Sequence, residues 1–125
     1  MSNFYLLDNL CEKMYYEVSE YKEKNVSFGY AEIRTIGNLL YIYIAGINID
    51  NITSKGDIKI FTLPVKVLGL QRFIMCKEQG ETMEKNCLLK VQNNIVSIVI
   101  NDLTTVTGNK LSLGGCVSAV MPINE

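Results

Sequence analysis

The sequence has no histidine and no tryptophan. Without histidine there is no Ser-His or Cys-His nucleophile pair, no imidazole metal site and no usual general base. Without tryptophan the best stacking platform for sugars and nucleobases is missing. An excess of charge of one sign is also lacking: 12 Lys+Arg stand against 13 Asp+Glu, a formal net charge of -1. That leaves no electrostatic footprint for nucleic acid and no basic cluster for an anionic membrane. The longest apolar run, around Leu39 to Ala45, falls well short of the roughly 20 residues a membrane helix needs, so no membrane insertion is expected. Four cysteines are present, Cys11, Cys76, Cys87 and Cys116. No pair has CxxC spacing, which argues against a metal ribbon or a thioredoxin-like site. The first residues lack a basic n-region and carry Asp8 early, so no signal peptide is expected. All four thiols are then expected to be reduced, without a disulfide in the domain.

At 125 residues the chain has the length of one domain with a single core. Residues 4–24 show helical periodicity. Leu7, Leu10, Cys11, Met14, Val18 and Tyr21 recur at spacings of three and four, which predicts an amphipathic helix. Such a helix is too short to stand alone in water and must dock on something. From Ser27 onward the pattern is that of strands: Phe28 to Thr35, Leu39 to Ile49, Ile58 to Leu63, Leu70 to Cys76, Cys87 to Val91, Ile95 to Ile100 and Leu111 to Met121. The pair Gly37-Asn38 and the run Gln92-Asn93-Asn94 supply turns. Seven short strands with frequent turn signals predict a mainly β, antiparallel sandwich or barrel preceded by one N-terminal α-helix. The expected boundaries are 1–26 for the helical segment and 27–125 for the β-domain.

Two strands bear on how the domain is built. In Leu39 to Ala45 both side-chain sets are apolar: Leu40, Ile42 and Ile44 on one face, and Leu39, Tyr41, Tyr43 and Ala45 on the other. A strand with one wet face alternates apolar with polar. This one is therefore central, or its second face meets another protein. In the last strand Leu111, Leu113, Val117, Ala119 and Met121 share a face, and an interior position in its sheet is expected. Gly114-Gly115 in its middle marks a bulge or a close backbone approach.

No catalytic motif is present. Glu78, Glu81 and Glu84 lie in a polar connection and read as a solvated face, not as a glycosidase pair. Asp50, Asn51 and Asp57 match no calcium loop and read as a turn near strand ends. Tyr41 and Tyr43 suit a sugar-stacking surface, but core or interface aromatics are the favoured reading. In the helix, Leu7, Met14 and Tyr21 take one heptad position, with Leu10 and Glu17 or Val18 in the other. This is either an oligomer seam or a helix packed on its own sheet.

Taken together, Ile36-Gly37-Asn38, Leu63-Pro64, Ile95-Val96-Ser97-Ile98 and Leu113-Gly114-Gly115 carry a resemblance. Over residues 31–122 the chain resembles the C-terminal receptor-binding (head) domains of tail-fibre, baseplate and minor tail proteins of phages infecting Gram-positive bacteria. The resemblance implies a jelly-roll β-sandwich assembled as a homotrimer, with the helix as a stalk or neck. It implies contact with other tail proteins and with host cell-wall saccharide, without catalysis or cofactor. The location would be the virion, or the bacterial cytoplasm for a prophage-encoded copy. Oligomer contacts are then expected at Leu7, Leu10, Met14, Tyr21, Tyr41 and Tyr43. The sequence departs from the family where Val65 to Gly69 replaces an aromatic-Arg-Pro element, and in having no Trp or His for a ligand crevice. No family binding residue is therefore carried onto a numbered position. The alternative class is a non-enzymatic bacterial β-sandwich binding or regulatory protein, monomeric or dimeric.

Overall fold

The structure is a computed structural model that describes residues 13–75, 87–100 and 108–124. In chain order its elements are β1 (Lys13–Tyr16), α1 (Val18–Tyr21), β2 (Val26–Ile36), β3 (Leu39–Ile49), β4 (Gly56–Thr62), β5 (Leu70–Met75), β6 (Cys87–Gln92), β7 (Ile95–Ile100) and β8 (Leu111–Pro122). The protein is thus mainly β. Its strands form two four-stranded sheets, ordered β1-β2-β3-β8 and β4-β7-β6-β5. Every strand pairing is antiparallel.

The alternation within each strand sends one set of side chains into a common core. Leu40, Ile42 and Ile44 of β3 and Leu111, Leu113 and Met121 of β8 are buried, as are Ile60 and Phe61 of β4, Leu89 and Val91 of β6, and Val96 and Ile98 of β7. These residues of both sheets belong to one hydrophobic cluster. Phe28 of the first sheet stacks on Phe61 of the second at 4.9 Å between ring centroids, with planes 9° apart. Removing such apolar area from water is the main favourable term in folding.

β3 lies between β2 and β8, in line with the first of the two readings of its apolar faces, a central strand or a face that meets another protein. Its pairing with β8 shifts register between Ala45 and Ile47, opposite Gly114-Gly115. Gly46 there has φ 71°, a left-handed conformation open to glycine at little cost. On β2 the backbone passes so close that a Cβ on Gly29 would lie 2.9 Å from the Ala45 carbonyl oxygen. The bend makes core positions of β3 fall three residues apart, at Ile44 and Ile47.

Two expectations are corrected. The described part of the predicted 4–24 helix is not a continuous helix: Lys13–Tyr16 is a strand, and only the single turn Val18–Tyr21 is helical. β1 pairs with β2 from Lys13↔Ile36 to Tyr16↔Ile33. Met14, Tyr15 and Tyr16 are at home in a strand, and pairing along β2 outweighs the local helical pattern. Residues 4–12 lie outside the described residues. Secondly, among the described residues β8 ends its sheet and is not interior to it. Its buried face is as expected, since Leu111, Leu113, Val117, Ala119 and Met121 are all buried. Its C-terminal end is held by Leu68 N–H donating to Pro122 O at 2.9 Å and by the bridge Val67↔Ile123.

Candidate functional site

The side of the first sheet that faces away from the core carries an aromatic and cationic face. Antiparallel register sets Tyr15, Arg34, Tyr41 and Val120 side by side across β1, β2, β3 and β8. The next row is Glu32, Tyr43 and Ser118, and Tyr30 follows opposite Ala45 and Cys116. Tyr15 is 60%, Tyr30 56% and Val120 58% exposed, and Tyr41 and Tyr43 are half-buried.

Arg34 organises this face. Its guanidinium carbon lies 4.3 Å from the Tyr41 ring centroid and 5.6 Å from that of Tyr15, so it stands between two π-faces. Nη1 donates to the Tyr15 hydroxyl at 3.0 Å and lies 3.6 Å from Glu32 Oε1. These neighbours raise the guanidinium pKa above its ordinary value, the Tyr15 hydrogen bond being the largest cause. Arg34 is therefore a fixed cation. Its Nε is buried and has no hydrogen-bond partner among the described residues. An unpaired buried donor of this kind is costly. Beside it, Tyr30 and Tyr43 meet edge-on at 5.6 Å between centroids, a geometry worth about 0.5–1.5 kcal/mol beyond burial. Cys116 is a free, exposed thiol on the same face.

The six residues expected at an oligomer contact fall in different places. Tyr41 and Tyr43 belong to the aromatic face. Tyr21 packs against the core and meets Tyr16 edge-on at 5.8 Å. Met14 is exposed, but it pairs with Thr35 in the alternate register of β1 and does not join the tyrosines. Leu7 and Leu10 lie outside the described residues, as do Glu78, Glu81 and Glu84. Asp57, considered above for calcium, instead pairs with Lys90. Among the described residues no three of His, Cys, Asp and Glu gather to hold a metal, and no helix is long and apolar enough to cross a membrane.

Arg34, Tyr15 and Tyr30 were not anticipated from sequence. The available signal was the alternation Ala31-Glu32-Ile33-Arg34, which puts a cation on the same face as the tyrosines of the facing strand. The face offers stacking and charge, together with the Cys116 thiol and the Glu32 carboxylate. The described residues also form shallow pockets, one of which shares Tyr30 with this face. One, of about 340 Å³, lies between α1 and β2, with Val18, Lys22, Phe28 and Tyr30 in its wall. The other, of about 300 Å³, lies on the outer face of the second sheet beside Lys59, Lys90 and Ser97. No family model, curated protein or solved structure matches this chain.

Proposed function

We propose that this chain is a non-catalytic binding module: a jelly-roll β-sandwich that works as a homotrimer, in the manner of a phage tail or baseplate receptor-binding head. The observation that carries the proposal is the face built by Tyr15, Tyr30, Tyr41 and Tyr43 around Arg34. Tyrosine and arginine dominate the energetic centres of protein interfaces. Contact between copies would cover the exposed rings of Tyr15 and Tyr30. The sandwich is supported by two antiparallel sheets that share one core. The phage-tail role is supported by the resemblance over residues 31–122, which also makes host cell-wall saccharide the expected ligand.

Sedimentation equilibrium at micromolar concentration tests the assembly. Three times the chain mass is expected. A monomer would contradict it and favour a monomeric bacterial binding protein instead. An array of cell-wall polysaccharides tests the ligand class, with selective retention of a few of them as the expected outcome.

A further inference from the structure

The geometry of the second sheet points to a phosphate-binding basin on its outer face. Register places Lys59, Ser97, Lys90 and Arg72 side by side on β4, β7, β6 and β5. Ser97 faces outward, because its neighbours Val96 and Ile98 point into the core, yet it is only 4% exposed. A short hydroxyl side chain between two lysines makes a dip. That dip is the pocket of about 300 Å³, with Asp57, Gln92 and Asn93 completing its polar wall. The volume is at the lower end for a small-molecule site.

The two lysines of the basin are each held by a carboxylate. Lys90 Nζ donates to Asp57 Oδ2, and Lys59 Nζ lies 3.1 Å from Glu23 Oε1. Each ammonium has three donors, so a single carboxylate contact leaves capacity for a second acceptor. Arg72 is exposed and has no ion-pair partner among the described residues. Lys90 and Arg72 are direct cross-strand partners, an arrangement that disfavours like charges. An anion above the row relieves that repulsion. Among the described residues Lys59 and Lys90 of the basin, with Arg72 next in the row, stand against Asp57 and Glu23.

The donors favour phosphate over carboxylate. Lysine binds phosphate as a point charge, whereas a planar carboxylate is best met by a single arginine fork. Here the cations are spread along a row with a hydroxyl between them, which suits a tetrahedral group with several oxygens. Gln92 and Asn93 add neutral donors and acceptors for hydroxyl groups next to it. The ligand class is therefore a small phosphate-bearing polyol. The basin and the tyrosine face are on different sheets, so this inference stands or falls apart from the trimer.

The test is a titration of the full chain followed by amide NMR shifts, with inorganic phosphate, glucose 6-phosphate and glucose as probes. Both phosphates are expected to give saturating shifts at Ser97 and Asn93, and glucose is not. Lys90→Ala should weaken phosphate binding about tenfold, the loss of one charge-assisted hydrogen bond. Arg72→Ala should weaken it by less. Arg72 is exposed and has no ion-pair partner among the described residues, so its variant is expected to fold like the wild type and report binding, and Lys90→Arg should retain affinity. The inference is overturned if neither phosphate saturates, or if the shifts saturate away from Ser97. It is also overturned if glucose binds as tightly as glucose 6-phosphate, or if both alanine variants bind phosphate like the wild type.

Discussion

The outer faces of the two sheets sit on the same kind of scaffold and carry opposite chemistries. On the first sheet the cation Arg34 is stacked between Tyr15 and Tyr41. On the second, a row of cations flanks the small Ser97, and no aromatic residue lies in the row. The first face is broad and rich in exposed rings; the second has a dip a few atoms deep. The strand period of two explains how both coexist. Core-facing positions fix which strands pair, and the outward positions between them are free to differ. A broad face of tyrosine and arginine suits another protein surface, while a small polar dip suits a small charged group.

The largest expected effect comes from the core that both faces share. Phe61→Ala should cost about 3–5 kcal/mol, read from urea unfolding. Loss of signal from both faces in one transition is expected, because Phe61 is fully buried and stacks across to Phe28. Two separate transitions would mean that the sheets do not share a cooperative core. A change confined to the first sheet sharpens the comparison. Gly46→Val puts a β-branched residue at φ 71° and should cost about 1–3 kcal/mol. The bend beside Ala45 should then distort the Tyr30–Tyr43 contact, while phosphate shifts at Ser97 persist. The smallest effect is expected on the second sheet. Glu23→Ala removes the surface ion pair with Lys59 and should change stability by less than about 1 kcal/mol. It should also tighten phosphate binding slightly, since the basin loses a competing carboxylate.

Much of the strand pattern was legible in the sequence because β-branched and apolar residues alternate there. Leu39–Ile49 and Ile95–Ile100 have the bounds their composition predicts, and Asn93 takes a left-handed φ of 55° at the turn between β6 and β7. β1 was not legible. Met14 and Tyr15 fit a helical stripe and a strand equally well, and only the edge of β2 decides between them. The end position of β8 was hidden for a related reason: periodicity shows which face is buried, but not how many neighbours a strand has. The outward set of Tyr41 and Tyr43 could be read locally. Arg34 between Tyr15 and Tyr41, and Lys59 and Lys90 around Ser97, could not, because each group is assembled from different strands by register.

The measurement closest to the central claim is the solution mass of Tyr41→Ala beside that of the wild type, by sedimentation equilibrium at matched micromolar concentration. Tyr41 is half-buried in one chain and forms one wall of the Arg34 stack. Truncating such an anchor should cost about 2 kcal/mol or more of association free energy. The account predicts a wild-type trimer and a variant shifted toward monomer, with little change in the unfolding midpoint of the isolated chain. A wild-type monomer, or a variant that keeps the full trimer mass, would contradict the assignment of the tyrosine face to assembly.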